Sequence, residues 1–222
     1  MSADKTNDVS KVLDALTDIT HRLTPGTFRL FIEDLLRWNP RLGLVSKRNT
    51  GDVTVKLVRQ SVRLWDFTLK NSGLRATQHR LRVVDFGTGG GFPGLVWKLV
   101  SPEIDLTLVD RKDRKVAFLE RVIARLGLTS VEAFTLDIRE FSRRETFQGK
   151  FDLAVSMAVS QPEPMAADVS RILKSPGFFC TIRRRAETPP RVLGRSLTIR
   201  SEDRTPDGRL VLYENTPAPS LG

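Results

Sequence analysis

The sequence predicts an α/β fold in which a mostly parallel, seven-stranded sheet carries an antiparallel hairpin at one edge and a helical cap at the N-terminus. From residue 82 onward, short apolar runs alternate with helical segments, which is the pattern of βαβ units. Before residue 78, apolar residues recur at spacings of three and four, as on amphipathic helices. Near the C-terminus, a Pro-Asp-Gly turn at 206–208 separates two apolar segments, as in a β-hairpin.

The N-terminal segment, residues 1–78, is expected to form a helical extension that packs on the core. Its apolar positions predict three helices, around residues 12–23, 28–36 and 55–69. The Trp-Asn-Pro sequence at 38–40 should end the second helix, because proline interrupts helical hydrogen bonding.

The stretch 82–94 reads RVVDFGTGGGFPG and indicates a binding site. A buried strand ends at Asp85, and Gly87, Gly89 and Gly91 let the following loop approach a ligand closely. A strand, a glycine turn and a helix in this order bind the adenosyl part of a nucleotide-like cofactor.

The position of Asp85 before these glycines distinguishes two cofactor classes. Dinucleotide sites use GxGxxG, with the pyrophosphate at a helix N-terminus. A carboxylate at Asp85 would repel a pyrophosphate but could help to hold the cationic amino-acid group of S-adenosylmethionine. The sequence therefore favours S-adenosylmethionine as the cofactor.

Acidic residues also end the next two predicted strands. The apolar run 106–109 ends in Asp110, whose carboxylate could accept both ribose hydroxyls. The run 131–136 ends in Asp137, and Ile138 follows, a polar and apolar pair suited to the edge and the face of an adenine. Because ligands bind at the carboxyl ends of parallel strands, these groups and the glycine loop predict one cofactor site.

The predicted core domain spans residues 79–215, and a disordered tail is expected at 216–222. Its later elements are, in order, a fourth strand at 151–156, a helix at 165–173, a turn at 176–177 and a fifth strand at 178–182.

The composition favours a polyanionic partner, and RNA fits best, because the formal net charge is +10 and the isoelectric point is about 10.3. Lys56, Arg59 and Arg63 lie off the apolar stripe of the third predicted helix and suit a nucleic-acid surface or a solvated face equally. Cys180 is the only cysteine, so no intramolecular disulfide can form.

We expect neither a membrane-spanning segment nor a metal-binding site. No stretch approaches the roughly 18 consecutive apolar residues of a membrane span, and the N-terminus lacks an apolar signal region, so a cytoplasmic location is expected. His21 and His79 each stand alone, without the spacing of metal ligands.

Three motifs carry a family resemblance: WNPRLGLVS at 38–46, DFGTGGGFPG at 85–94 and LVDRKDRKVAFLERV at 108–122. With them the chain resembles the bacterial glucose-inhibited division protein B family (RsmG), the small-subunit ribosomal RNA guanine-N7 methyltransferases. The resemblance implies a Rossmann-like class I methyltransferase fold and methylation of guanine N7 in 16S ribosomal RNA, and we expect a monomer. It also implies that Gly87 and Phe92 contact the cofactor.

The chain departs from the family pattern at several positions. The family's Arg-Ala-Glu becomes Asp137, Ile138 and Arg139, which places Ile138 and Arg139 at the cofactor by resemblance. An arginine is missing at Met157, and the His-x-x-Asp-Ser helix reads LVRQS at 57–61. These changes leave two alternatives open: a catalytically altered protein that binds S-adenosylmethionine or RNA, or a methyltransferase with another target.

Guanine N7 carries a lone pair without a proton, so its methylation requires no strong general base. We expect alignment of the reacting atoms to dominate catalysis, with Ser156 and Met157 lining the target-base pocket. Arg139 is expected to replace the arginine missing at Met157, on the assumption that the third strand lies beside the fourth. The Arg-Arg-Arg sequence at 183–185 suits either the substrate phosphates or a solvated strand end.

Overall fold

The computed structural model describes residues 3–75, 80–157 and 162–216. At its centre is one eight-stranded sheet in the order β3-β2-β1-β4-β5-β8-β7-β6. Strands β1 to β5 are parallel, whereas β8 is antiparallel to both β5 and β7. The strands are β1 (Arg82–Phe86), β2 (Asp105–Asp110), β3 (Val131–Thr135), β4 (Phe151–Ser156), β5 (Leu173–Arg183), β6 (Val192–Leu193), β7 (Leu197–Thr205) and β8 (Gly208–Asn215).

The predicted α/β fold with an antiparallel edge hairpin is confirmed, with one strand more than expected. The additional strand is β6, a two-residue segment that pairs with β7 at the edge of the sheet. So short a segment, paired on one side only, leaves little periodicity in the sequence.

Helices cover both faces of the sheet, which explains why the inner parallel strands β1, β2 and β4 are buried on both sides. The tilted rings of Trp65 and Trp97, with centroids 5.0 Å apart, join the N-terminal helices to the core. The helices are α1 (Ala3–Asp14), α2 (Thr17–Thr20), α3 (Pro25–Leu42), α4 (Thr50–Ser72), α5 (Gly94–Val100), α6 (Asp113–Leu126), α7 (Ile138–Arg143) and α8 (Ala166–Ile172).

The N-terminal helices differ in detail from those predicted. The first predicted helix is two helices, α1 and α2, because the chain tightens where the Leu16 N–H bonds to the carbonyl of Leu13, three residues back. The second does not stop at Pro40 but continues to Leu42. Proline removes only one hydrogen bond in this last turn, and the helix ends where Gly43 adopts a left-handed φ of 59°.

The predicted turn at 176–177 is also wrong. These residues lie inside β5, which begins at Leu173 and pairs with β4 on either side of them. The register shifts there, since Phe151 pairs with Leu173 whereas Leu153 pairs with Phe178. An irregularity in the strand therefore accommodates the Pro-Gly pair without reversing the chain.

Some predictions fall outside the described residues. The boundary between the helical extension and the core domain lies in 76–79, together with His79. The predicted tail lies there too, except for Thr216. None of the described helices is long and apolar enough to pass through a bilayer.

Candidate cofactor and substrate site

A cavity of about 690 Å³ opens at the carboxyl ends of β1, β2 and β3. Five residues predicted to bind the cofactor lie on its wall: Gly87, Asp110, Asp137, Ile138 and Arg139. The other residues of the wall were not predicted as cofactor ligands, although several lie within the motifs at 85–94 and 108–122; they are Phe86, Val109, Arg111, Lys112, Lys115, Leu136, Pro164 and Met165.

The loop between β1 and α5 is close-packed and requires glycine. Gly91 has a φ of +93°, and a Cβ on it would lie 2.5 Å from the Leu95 side chain. A Cβ on Gly94 would lie 2.6 Å from Leu108 Cδ2 and 2.9 Å from Asp85 Oδ2. The loop can therefore turn tightly into α5 only without side chains at these positions.

Asp110 joins this loop to the end of β2. Its Oδ2 accepts the N–H of Gly89 over 3.0 Å, and its Oδ1 accepts the N–H of Lys112 over 3.0 Å. Each carboxylate oxygen has a further lone pair, so two more hydrogen bonds can form from the cavity side. The carboxylate is thus held in place by the backbone at the position where the sequence predicted a ribose-binding acid.

Asp85 lies beneath the loop rather than on the cavity wall. It is fully buried, and its Oδ2 accepts the N–H of Gly94 over 2.9 Å. Burial raises the pKa of the Asp85 carboxyl to about 7, against the lowering effect of the hydrogen bond from Gly94. This geometry therefore does not support the predicted direct contact between Asp85 and a cofactor. Asp85 instead fixes the start of α5.

At the end of β3, Asp137 caps α7 by accepting the N–H of Arg139 on Oδ1 over 2.9 Å. Ile138 and Met165 add apolar surface to the wall, and Arg139 is exposed. This end of the cavity therefore combines an apolar slot with a carboxylate at its edge.

Phe92 and Ser156 point away from the cavity. Phe92 is buried against Phe31 of α3, with ring centroids 5.6 Å apart, because the chain turns towards the helical cap after the glycines. The Ser156 hydroxyl is buried and donates to the carbonyl of Phe86 over 2.9 Å. The predicted contacts of Phe92 with the cofactor and of Ser156 with a target base are not supported by these positions.

Met157 follows β4 and is half-buried against α4, where its sulfur lies 3.8 Å from the Ser61 hydroxyl. The assumption that Arg139 can substitute for an arginine at this position is wrong, because β2 and β1 lie between β3 and β4. Three strand spacings separate the two strand ends by about 14 Å. The chain forms β3 on one side of β1 and then crosses to the other side for β4.

Comparison with known protein families identifies the family to which this chain belongs. A family model, GidB, described as rRNA small subunit methyltransferase G, matches residues 26–201. The chain belongs to the GidB family. The family resemblance predicted from the three motifs is confirmed.

Curated relatives with the name ribosomal RNA small subunit methyltransferase G support this assignment. One from Prochlorococcus marinus strain MIT 9313 is 38% identical over 148 residues, covering 66% of this chain and 58% of the relative. One from Desulfitobacterium hafniense is 30% identical, covering 68% of this chain and 59% of the relative. The chain thus spans about three fifths of the length of these curated relatives.

Solved structures confirm the methyltransferase-type fold and carry no more than that, because their sequences are distant. A mutant of MtNAS in complex with S-adenosylmethionine has a TM-score of 0.60 at 14% identity, covering 85% of this chain and 73% of that one. A putative methyltransferase, yhhF from Escherichia coli, has a TM-score of 0.54 at 13% identity, covering 71% of this chain and 85% of that one.

In this GidB-family chain, the motif at 38–46 packs directly on the glycine loop. Asn39 is buried; its Oδ1 accepts the N–H of Val45 over 2.9 Å, and its Nδ2 donates to the Thr50 hydroxyl over 3.2 Å. The carbonyl oxygen of Leu44 lies 3.6 Å from where a Cβ would stand on Gly89. The segment between α3 and α4 therefore supports the loop from the side of the helical cap.

Several of the cations that the sequence suggested for RNA binding form ion pairs within the protein. Lys56 and Arg63 of α4 both pair with Asp207 in the β7–β8 turn, at 3.5 and 3.3 Å. Arg59 pairs with Asp18 at 2.7 Å. This face of α4 is therefore held by carboxylates, which favours a solvated face over a nucleic-acid surface.

The arginines at 183–185 divide in the same way. Arg183 is 7% exposed and pairs with Glu163 at 2.8 Å and with Glu187 at 3.6 Å. Arg184 and Arg185 are exposed. Arg184 also pairs with Glu187 at 3.9 Å, but its side chain and that of Arg185 remain accessible to a phosphate, whereas Arg183 is enclosed. Across residues 3–75, 80–157 and 162–216, no group of three or more potential ligands is arranged to hold a metal ion.

Proposed function

We propose that this GidB-family chain transfers a methyl group from S-adenosylmethionine to small-subunit ribosomal RNA, with guanine N7 as the accepting atom. The observation that carries the proposal is the cavity at the ends of β1, β2 and β3, whose wall offers a matching set of groups for an adenosyl ligand. The family assignment supports the same activity.

The residues present fit this cofactor part by part. Phe86, Val109, Leu136, Ile138 and Met165 supply apolar surface for an adenine, and Asp137 lies at the edge of that surface. Asp110 presents two anchored carboxylate oxygens to ribose hydroxyls. The volume of about 690 Å³ lies within the usual range of small-molecule sites.

When bound, S-adenosylmethionine supplies a methyl group that its sulfonium already activates. The chain's residues then have to hold the cofactor, orient the accepting base and exclude water. No side chain near the end of β4 needs to remove a proton from guanine N7. The hydrogen bond from the Ser156 hydroxyl to the Phe86 carbonyl is therefore compatible with the reaction, because Ser156 is not needed as a base.

The charge of the cavity rim supports a polyanionic substrate. Arg111, Lys112 and Arg139 are exposed on the wall, and no carboxylate among the described residues lies within 4.0 Å of their side-chain nitrogens. Together with a net charge of +10, they favour phosphate-rich RNA over a neutral substrate. The proposal includes action as a monomer in the cytoplasm, where ribosomal subunits are assembled.

A second candidate is a protein that binds the cofactor without transferring its methyl group. Met157 packs on Ser61, and Gln60 donates to the Asp207 carbonyl over 3.4 Å, so both positions are engaged within the protein. These contacts close the substrate side of α4 where the family resemblance would place polar groups. This candidate binds S-adenosylhomocysteine but labels no RNA.

The test supplies methyl-labelled S-adenosylmethionine together with small subunits or naked 16S RNA from a strain that lacks the endogenous modification. Large subunits and transfer RNA serve as controls. The proposal predicts label in the small-subunit RNA alone. Label in a control RNA would change the target, and cofactor binding without any label would favour the second candidate.

A further inference from the structure

Lys115 holds a position that differs from the other cations of the cavity wall. Its side chain is half-buried, whereas Arg111, Lys112 and Arg139 are exposed. Its ammonium nitrogen lies 3.5 Å from where a Cβ would stand on Gly89. A side chain in α6 leans towards the helix N-terminus, which brings this ammonium over the glycine loop.

This ammonium has no carboxylate partner in the described parts of the chain, where none lies within 4.0 Å of it. The neighbouring carboxylate, Asp110, is held by the backbone N–H groups of Gly89 and Lys112. A half-buried cation is stabilised when an anion completes its site. The Lys115 ammonium therefore places a positive charge beside the glycine loop that no described carboxylate within 4.0 Å neutralises.

We propose that Lys115 binds the carboxylate of the amino-acid tail shared by S-adenosylmethionine and S-adenosylhomocysteine. The inference rests on the proposed function, since it requires the cavity to take an adenosyl ligand. Asp110 and the apolar slot account for the ribose and the adenine, and neither carries a positive charge for the tail. Lys115 is then a cofactor-positioning residue, and exposed cations such as Lys112 are left for other contacts.

The test compares two ligands that differ in the amino-acid tail. S-adenosylhomocysteine has the carboxylate, whereas 5′-methylthioadenosine keeps the adenine and the ribose but lacks the tail. Calorimetry on the full chain should show that Lys115→Met weakens S-adenosylhomocysteine binding by about tenfold or more and changes 5′-methylthioadenosine binding by less than about twofold. Lys115→Arg, which keeps the cation, should recover part of the affinity that Lys115→Met removes.

Arg114→Met is the matched control, because it removes an exposed cation from the adjacent position of α6 that does not lie on the cavity wall. It should affect neither ligand by more than about twofold. Equal losses for both ligands in Lys115→Met would overturn the proposal in favour of a role in the loop or at the ribose. Unchanged binding of both ligands with weaker RNA binding would overturn it in favour of a phosphate contact.

The two proposals fail in different ways. If the wild-type protein binds neither ligand, the cofactor assignment fails, and the proposed role of Lys115 fails with it. If the wild-type protein binds S-adenosylhomocysteine and Lys115→Met binds it equally well, only the role of Lys115 fails. Thermal unfolding of each variant shows whether a loss of affinity reflects a loss of fold.

Discussion

The N–H of Gly89 donates a hydrogen bond of 3.0 Å to Oδ2 of Asp110, and this bond joins the glycine loop after β1 to the last residue of β2. A second N–H, from Lys112, fixes the other oxygen of the same carboxylate. Two adjacent strand ends are thereby held at a constant distance. The cavity wall is thus organised by its backbone before any ligand binds.

Asp110→Ala should weaken S-adenosylhomocysteine binding by about tenfold or more. The variant removes acceptors for the ribose, and a hydrogen bond to a charged group contributes on the order of 1.5–3 kcal/mol. Calorimetry measures the change, with Asp113→Ala as the control, since Asp113 is an exposed acid in the first turn of α6. Equal affinities for wild type and Asp110→Ala would refute the ribose assignment.

Asp85 should make the protein less stable as the pH rises towards neutrality. Burial raises its pKa from 3.8 to about 7, so between about pH 4 and pH 7 the folded state binds a proton that the unfolded state has released. The resulting loss is complete above about pH 7 and amounts to at most about 4 kcal/mol, at about 1.4 kcal/mol per pKa unit.

Asp85→Asn keeps an oxygen for the Gly94 N–H but cannot ionise. Its free energy of unfolding should therefore rise relative to wild type between pH 5 and pH 8. Urea titrations at several pH values measure this difference. Parallel stability curves for the two proteins would contradict a raised pKa at Asp85.

Gly94→Ala should destabilise the fold by roughly 1–3 kcal/mol, because the new Cβ would lie 2.6 Å from Leu108 Cδ2. The same substitution at Gly51 is the control: the nearest atom there is 3.7 Å away, and the residue lies in α4. Gly51→Ala should leave stability unchanged or raise it by up to about 1 kcal/mol. Equal effects at both sites in urea unfolding would refute the close packing of the loop.

Arg183 and its two neighbours should respond differently to substitution. Arg183→Met removes the partner of Glu163 and the nearer of the two partners of Glu187, and it should cost about 1–2 kcal/mol of stability. Replacing Arg184 and Arg185 with serine should change stability by less than about 0.5 kcal/mol. The double variant should instead reduce the salt dependence of RNA binding by about 0.7 in slope for each phosphate that these arginines bind in the wild type. An unchanged slope would show that neither arginine binds a phosphate and that both belong to a solvated surface.

The sequence predicted the elements of the fold well because local periodicity determines them. The strand at 151–156 lies where it was expected, and strands alternate with helices from residue 82 onward as the apolar runs indicated. The predictions at Pro40 and at 176–177 were wrong for two reasons. A helix tolerates one missing hydrogen bond in its last turn, and a paired strand tolerates a shift of register.

The candidate site was predictable only in part, because spacing along the chain does not fix sheet order or side-chain direction. Asp110 and Ile138 lie on the cavity wall because parallel strands end at one edge. Arg139 and Met157 are far apart because two strands intervene. Lys115 lies within the motif at 108–122, and the N-terminal lean of helical side chains is the one sequence-level signal that directs it towards the loop.

The identity of the methylated nucleoside tests the central claim most directly. Small subunits lacking the endogenous modification are incubated with the protein and labelled S-adenosylmethionine, and their RNA is digested to nucleosides for mass spectrometry. We predict that the label is found in 7-methylguanosine, approaching one per subunit. Label in another nucleoside, or no label from a protein that binds S-adenosylhomocysteine, would contradict the proposed guanine-N7 methyltransferase.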